Sequence, residues 1–209
     1  ALRTPQAIER KGNYSEPHNN YRIFLRIPVS NEYFAIVTGL GTDTKKGIIR
    51  MKKYLLFDLD GTLTDPKIGI TTCVQYALHS FGIEEPDLDK LEPFIGPPLR
   101  DSFMEFYGFT PEQAEKAVAK YRERFQDTGI FENEVYAGIP EMLKNLQSNG
   151  YFLAVASSKP QVYVERILEH FDLKKYFAVV VGSELDGRRE TKDQVVQETL
   201  HQLFGENPV

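Results

Sequence analysis

Two aspartates, Asp58 and Asp60, stand one residue apart directly after a short apolar run. Followed by the turn-forming Gly61, two carboxylates at this spacing can point into one cleft, where one attacks phosphorus and the other moves a proton. Further along the chain, Ser157 offers a hydroxyl with backbone N–H groups behind it, and Lys192 offers a fixed positive charge. Together these residue types predict the transfer of a phosphoryl group.

Each of these motifs, taken singly, also has a purely structural interpretation. An Asp-x-Asp-Gly sequence is common in turns, and the run Ser157–Pro160 is typical of a helix N-cap. A lone lysine such as Lys192 is usually solvated, and Cys73 fits a buried helical position. The functional interpretation therefore depends on the joint occurrence of the motifs, each after a predicted strand and in the right order.

The elements that must position these residues alternate between strand and helix. Short apolar runs predict buried strands at residues 53–57, 151–156 and 177–181. Helical spacing and helix-end signals predict helices at residues 140–149, 160–170 and 191–204. This alternation predicts an α/β fold with a Rossmann-like parallel sheet. Because ligands of such a sheet bind beyond the carboxyl ends of its strands, the polar residues there form the candidate site.

The first two predicted strands are separated by a long helical segment. Residues 66–135 contain apolar positions at helical spacing, and Thr110 with Gln113 predicts a capping box at the start of one helix. We therefore predict an inserted all-α cap at residues 66–135, with residues 51–65 and 136–209 forming the α/β core.

Composition excludes several classes of protein. The formal net charge of −5 divides into +4 for residues 1–50 and −9 for residues 51–209, so the acidic body argues against a nucleic-acid polymer as partner. The single cysteine excludes an intrachain disulfide, and the scattered histidines suggest no metal site. No apolar run has membrane-spanning length, and the first residues contain no signal-peptide core. A cytoplasmic setting is the expectation, with a small phosphorylated metabolite as partner and no membrane.

Three segments resemble the signatures of the haloacid dehalogenase superfamily, in its phosphatase branch. The segment FDLDGTLTD at 57–65 resembles the first signature, LAVASSKP at 153–160 the second and GSELDGRRETK at 182–192 the third. The segments FIGPPLRDSF at 94–103 and VYAGIPEML at 135–143 are similar to phosphoglycolate phosphatase-like and 5'-nucleotidase-like members. The resemblance covers residues 51–209.

This resemblance implies a role for each motif residue. Asp58 would be the nucleophile that becomes an aspartyl-phosphate, and Asp60 would protonate the leaving alcohol and then activate water. Mg²⁺ would be bound by the Asp58 carboxylate and the Asp60 backbone carbonyl. The residues implied to hold the phosphoryl group are Leu59, Ser157, Ser158 and Lys192. Those implied to shape the turn are Gly61 and Thr62, and those implied to contact the substrate from the cap are Gly96, Pro97 and Arg100.

The chain departs from the family pattern at both ends. The family has a fourth signature, with a strand beside the first one and further acidic residues for Mg²⁺, and the sequence stops at residues 205–209, where that strand would begin. We therefore expect a fragment of a longer product, an exposed edge at the strand leading to Asp58, weak Mg²⁺ affinity, little turnover and a tendency to aggregate.

Residues 1–50 have no counterpart in the resemblance. A Ser30–Glu32 turn signal between two β-prone runs predicts a hairpin, followed by a polar, glycine-rich link to Met51. One explanation is an open reading frame translated through its upstream region, because codons for Lys46 and Gly47 could form a ribosome-binding site. The other is an appended module of unknown role.

Three functions compete at this point. The leading one is a Mg²⁺-dependent phosphomonoesterase of small substrates. The second is a sugar-phosphate mutase of the same superfamily, and the third is a binding protein that lacks the fourth signature. A dehalogenase is disfavoured, because that chemistry does not use an aspartate at position 60. Phosphoglycolate, nucleoside monophosphates and pyrophosphate all agree with the sequence as substrates, and the oligomeric state is open.

Overall fold

The computed structural model describes residues 22–26, 34–43 and 48–204. The strands are β1 (Arg22–Arg26), β2 (Phe34–Asp43), β3 (Ile48–Phe57), β4 (Thr64–Asp65), β5 (Glu134–Val135), β6 (Tyr151–Pro160) and β7 (Val179–Ser183). The α-helices are α1 (Lys67–His79), α2 (Leu99–Tyr107), α3 (Pro111–Phe125), α4 (Ile139–Ser148), α5 (Gln161–His170) and α6 (Lys192–Phe204). Short 3₁₀ segments are Leu88–Phe94, Gly129–Phe131 and Lys174–Tyr176. The turn predicted at Ser30–Glu32 lies outside the described residues.

A five-stranded sheet in the order β1-β2-β3-β6-β7 carries the candidate site. Strands β3, β6 and β7 are parallel, with Leu55 opposite Leu153 and Val155 opposite Val180. These strands are nearly continuous apolar runs because hydrophobic clusters cover both faces of the parallel part. The predicted α/β fold with a Rossmann-like parallel sheet is confirmed.

Strand β2 lies along β3, the strand that leads to Asp58. Ten residue pairs join the two strands in antiparallel fashion, from Phe34 opposite Phe57 to Asp43 opposite Ile48. The expectation of an exposed edge at this strand is therefore wrong, because β3 has β6 on one side and β2 on the other. The two strands are close in the chain, so pairing them closes only a short loop.

The amino-terminal boundary also differs from the expectation. Strand β3 begins at Ile48 and not at Lys53, so the boundary expected at Met51 falls inside a strand. The segment interpreted as a polar link supplies the end of β2 and the start of β3. Strand β1 pairs antiparallel with β2, with Arg22 opposite Thr38. Residues 22–26 and 34–43 thus add an antiparallel ribbon to the parallel sheet.

The helical insert leaves and re-enters the core through a two-stranded ribbon. Strands β4 and β5 are antiparallel, with Thr64 opposite Val135. Within the insert, α3 begins at a capping box in which the Gln113 N–H donates to Thr110 Oγ1 at 3.3 Å and the Thr110 N–H donates to Gln113 Oε1 at 2.9 Å. The predicted capping box is confirmed, and it fixes where α3 starts.

Helix α1 packs backbone to backbone against the 3₁₀ turn that returns towards the core. A Cβ atom placed on Gly69 would lie 2.0 Å from the Gly129 carbonyl oxygen, which no side chain tolerates. The Gly69 N–H donates to the Glu132 carbonyl at 2.9 Å. Glycine at position 69 is therefore a requirement of this close approach.

Insert and core share one hydrophobic cluster. Its buried members include Phe57 of β3, Ile70 of α1, Phe125 of α3 and Tyr163 of α5. The rings of Phe125 and Tyr163 meet edge to face with 5.2 Å between their centroids, which joins the insert directly to a core helix. None of the helices in the described ranges has the length and apolarity that a membrane crossing would need.

Candidate active site

Asp58 and Asp60 lie in a tight turn directly after β3. The Leu59 carbonyl accepts three backbone hydrogen bonds, from Thr62, Leu63 and Thr64 at 3.2, 2.9 and 3.1 Å. Gly61 has a φ of +76°, a left-handed conformation that glycine adopts without steric cost. The turn expected at Gly61 and Thr62 is therefore present, and it places two carboxylates within three residues of the sheet edge.

The Asp58 carboxylate has two partners. Lys192 Nζ lies 2.5 Å from Oδ2, and the Leu59 N–H donates to Oδ1 at 2.8 Å. Lys192 Nζ also donates to the Ala156 carbonyl at 2.9 Å, so one lysine joins the ends of β3 and β6. The resemblance implies that Leu59 holds the phosphoryl group; here its N–H contacts the Asp58 carboxylate, and its side chain is buried.

A reciprocal hydrogen-bond pair fixes Lys192 at the start of α6. The Gln194 N–H donates to Thr191 Oγ1 at 3.4 Å, and the Thr191 N–H donates to Gln194 Oε1 at 3.2 Å. This is the capping-box pattern, with threonine three residues before glutamine. Because it determines where the helix begins, it also determines where the Lys192 side chain leaves the backbone.

Asp60 forms a nearly buried ion pair with Lys159. The distance from Lys159 Nζ to Asp60 Oδ2 is 2.7 Å, and the two side chains are 7% and 11% exposed. Burial raises the pKa of Asp60, and the Lys159 ammonium lowers it in part. The other oxygen, Oδ1, is buried and has no hydrogen-bond partner among the described residues. The Lys159 ammonium also lies 4.8 Å from the ring centroid of Phe125, so it contacts both core and insert.

The serines lie in a part of β6 that the sequence did not assign to a strand. The strand continues past its predicted end at Ala156 as far as Pro160, and its pairing with β7 shifts register between these residues. Ser157 is buried, and its Oγ accepts a hydrogen bond from the Lys159 N–H at 3.3 Å. The Ser158 carbonyl accepts one from the last residue of β7 at 2.7 Å. The N-cap interpretation of the serines is wrong, because Pro160 occupies that position.

A cavity of about 450 Å³ lies between this sheet edge and the insert. The expected site residues that line it are Asp60, Ser158, Gly96, Pro97 and Arg100. The expected site residues outside its wall are Asp58, Leu59, Gly61, Thr62, Ser157 and Lys192. Asp60 therefore joins the two groups of expected site residues, because it lines the cavity and lies in the same turn as Asp58. A volume of this size accommodates a small organic ligand.

The oxygen donors of the turn fit a hard divalent cation. Mg²⁺ binds proteins through one or two carboxylates and keeps several water molecules, which matches a site built from Asp58 and Asp60. The partnerless Oδ1 of Asp60 is a buried oxygen of the kind that such an ion or its water would satisfy. In the ranges that the structure describes, no three acidic, histidine or cysteine side chains form a metal-binding group. Asp58 and Asp60 are therefore the described residues that could hold Mg²⁺.

Several residues of the cavity were not expected to belong to the site. Lys159 is one of them. The sequence signal that could have identified it is its position at a strand end, between Ser158 and Pro160. Helix α3 supplies others, of which Tyr121 and Phe125 belong to the apolar positions at helical spacing in residues 66–135. Residues at helical spacing can serve a core and a cavity wall at once, and spacing alone does not distinguish the two.

The fold is a Rossmann-like parallel sheet with a helical insert. Carboxylates, a hydroxyl and a lysine lie near the carboxyl ends of its parallel strands. The chain belongs to the haloacid dehalogenase-like hydrolase family, whose profile matches residues 55–206. The family resemblance of the three signatures is therefore confirmed.

Several known proteins are similar to this chain. A 5'-nucleotidase of Pseudomonas aeruginosa is 53% identical over 146 residues, which are 70% of this chain and 66% of that protein. Tyrosine-protein kinase PtkA of Mycobacterium tuberculosis is 37% identical over 149 residues, 71% of this chain and 50% of that protein. The crystal structure of a predicted phosphatase from Clostridium acetobutylicum has a TM-score of 0.70 and 50% identity, covering 72% of this chain and 69% of that one. The chain spans between half and two thirds of the two curated relatives.

Proposed function

We propose that this chain carries the catalytic machinery of a Mg²⁺-dependent phosphomonoester hydrolase that acts on a small phosphate ester of the phosphoglycolate or nucleoside monophosphate type. The observation that supports it most is the pair of aspartate–lysine contacts, Asp58–Lys192 and Asp60–Lys159, at one edge of a parallel sheet. The neighbouring cavity has room for a small ester. Family membership and a relative named 5'-nucleotidase agree with this reaction.

In the first step, an oxygen of Asp58 attacks phosphorus, and the bond between phosphorus and the ester oxygen breaks. The protonated form of Asp60, which burial favours by raising the pKa of this carboxyl group, gives its proton to the departing oxygen. The phosphoryl group is left on Asp58 as an acyl phosphate. Lys192 lies at 2.5 Å from Asp58 Oδ2 and offsets the negative charge that gathers as the phosphoryl group approaches.

In the second step, water attacks phosphorus, and Asp60 takes a proton from that water. The bond between phosphorus and Asp58 then breaks, which releases inorganic phosphate and restores both carboxyl groups. One carboxyl group thus serves as acid and then as base, a task that a raised pKa favours. Mg²⁺, when bound by the Asp58 carboxylate and the Asp60 backbone carbonyl, supplies charge stabilisation for the phosphoryl oxygens.

We further propose that residues 51–65 and 136–209 act as the core and residues 66–135 as the cap that excludes water from the reaction. The β4–β5 ribbon is the connection between them, and Ser157 and Ser158 complete the phosphate side of the site. We assign no chemical role to residues 1–50.

The test is phosphate release from phosphoglycolate, adenosine monophosphate and p-nitrophenyl phosphate, with Mg²⁺ or with EDTA. Asp58→Asn should lower turnover by about 10³-fold or more, because it removes the nucleophile, and Asp60→Asn by about 10²- to 10⁴-fold. EDTA should abolish release from every ester.

Asp101→Asn is the matched control, because Asp101 is an exposed aspartate on α2 outside the cavity wall. This variant should keep the wild-type rate. Activity that survives Asp58→Asn would remove Asp58 from the nucleophile role. Net isomerisation of a sugar phosphate without phosphate release would favour the mutase.

A further inference from the structure

Arg122 is a cation of the cavity wall whose guanidinium has no partner among the described residues. It lies on α3 of the insert, is half-buried and lines the cavity that also holds Asp60 and Ser158. Among the residues that the structure describes, no hydrogen bond and no carboxylate within 4.0 Å pairs with its guanidinium. The other cations of the wall are engaged: Lys159 with Asp60 at 2.7 Å and Arg100 with Glu115 at 3.8 Å.

The carboxylates of the wall do not neutralise Arg122 either. Glu115 pairs with Arg100, Glu184 pairs with Arg189 and Asp186 pairs with Arg188. Glu190 is exposed and outside ion-pair distance of Arg122. A guanidinium that is partly withdrawn from water and unpaired is poorly satisfied, so an anion that enters the cavity gains a charge-assisted contact there.

Arg122 of the insert and Tyr163 of core helix α5 line the same cavity. Burial raises the pKa of Tyr163 on α5. The positive charge of Arg122 is the strongest of the influences that lower this pKa in part. Tyr163 belongs to the core, lines the same cavity and packs on Phe125 of α3. Arg122 therefore faces the space between insert and core, where the part of a substrate remote from the sheet edge would lie.

We propose that Arg122 binds a second anionic group of the substrate, a carboxylate or a second phosphoryl group, while the Asp58–Asp60 turn takes the phosphoryl group that is transferred. The proposal rests on the proposed function and narrows its substrate class to short phosphate esters or anhydrides whose leaving portion is itself anionic. The planar guanidinium matches both carboxylate and phosphate with two parallel hydrogen bonds. A neutral nucleoside would offer Arg122 no such partner.

The test uses two phosphonates that enzymes of this kind do not cleave. 3-Phosphonopropionate and propylphosphonate differ only in a carboxylate in place of a methyl group, and their binding is measured by titration calorimetry in Mg²⁺. We expect the wild-type chain to prefer 3-phosphonopropionate by about 10- to 100-fold, the range for hydrogen bonds to charged groups. In Arg122→Gln the preference should fall close to one, with propylphosphonate binding unchanged. Arg122→Lys should keep part of the preference.

A second set of titrations distinguishes a carboxylate from a phosphoryl group as the anion that Arg122 binds. Methylenediphosphonate replaces the carboxylate by a second phosphonate group, and the ligand whose affinity depends more on Arg122 identifies the chemistry that this residue recognises. Lys116→Gln is the matched control, because it removes the same charge from an exposed position of α3 outside the cavity wall. It should leave both preferences intact.

The proposal is overturned if the wild-type chain shows no preference for the anionic ligands, if the preference persists in Arg122→Gln, or if that variant loses affinity for all phosphonates equally. Absence of all phosphonate binding to the wild-type chain also overturns it. Failure of the proposed function is a separate result, because it appears as absence of phosphate release from p-nitrophenyl phosphate, whose leaving group does not need Arg122.

Discussion

Replacement of Lys159 by methionine tests the buried charge pair most directly. Lys159 Nζ and Asp60 Oδ2 are 2.7 Å apart, and the side chains are 7% and 11% exposed. The substitution would therefore leave the desolvated Asp60 carboxylate without its ion-pair partner among the described residues. Methionine keeps much of the volume of the lysine stem and its contact with Phe125. The expected effect is therefore electrostatic.

Two limits set the size of the loss. An uncompensated buried charge costs about 3–5 kcal/mol of folding free energy. The carboxyl group can instead take up a proton, and at pH 7 this costs about 4 kcal/mol for an ordinary pKa near 3.9. The folded variant adopts whichever of these two states has the lower free energy. Lys159→Met should therefore lower the free energy of unfolding by about 3–4 kcal/mol at pH 7.

The loss of unfolding free energy in Lys159→Met should become smaller as the pH falls. Burial already raises the pKa of Asp60, and removal of the lysine takes away the main influence that lowers it. The folded variant thus binds the proton more tightly than its unfolded chain, so stability is fully present below the ordinary carboxyl pKa and is lost as the pH rises. The cost should shrink to about 1.5 kcal/mol at pH 5.

The assay is urea unfolding at a series of pH values in EDTA, so that Mg²⁺ does not contribute. The double variant Lys159→Met/Asp60→Asn should recover most of the loss, because it removes the orphaned charge. Lys174→Met is the control, since it breaks a 2.7 Å pair with Glu169 whose side chains are 43% and 58% exposed, and it should leave stability near wild type. A loss below about 1 kcal/mol at pH 7, or the same loss at pH 5 and pH 7, would refute the reasoning.

Two further predictions concern the packing of the insert. Gly69→Ala should lower the free energy of unfolding by about 3 kcal/mol, because its Cβ would lie 2.0 Å from the Gly129 carbonyl oxygen and the backbone would have to move. Urea unfolding measures this change, and a value near zero would contradict the close approach of the two backbone segments. Cys73 should resist an aromatic disulfide reagent until urea unfolds the chain, because the thiol is buried and burial raises its pKa; rapid labelling of the folded protein at neutral pH would be the contrary result.

The location of the candidate site could be predicted because its motifs directly follow strands that short stretches of sequence identify. A continuous apolar run such as 53–57 predicts a strand buried on both faces, and parallel strands align their carboxyl ends at one edge. The sequence alone therefore predicts that Asp58, Ser157 and Lys192 lie near one another. The contacts of Lys192 with Asp58 and with the end of β6 have the same origin.

The features that could not be predicted depend on partners distant in the chain. The pairing of β2 along β3 was missed, because Gly39 and Gly41 weaken the strand pattern and propensity does not specify which neighbour a strand selects. The extension of β6 beyond Ala156 follows a register shift against β7, which no local pattern encodes. The Lys159–Asp60 pair was missed for a related reason, since ion-pair partners far apart in sequence leave no periodic signal.

The β4–β5 ribbon also has a consequence for the order in which the molecule assembles. Strands β3 and β6 must meet with Lys53 opposite Tyr151, which closes a loop of about 98 residues. Once Thr64 and Val135 have paired, the same closure spans an effective length of about 27 residues and costs about 1 kcal/mol less entropy. The sheet edge that carries Asp58 and Asp60 thus forms most readily after the insert has folded, which makes the insert part of the folding route as well as a wall of the cavity.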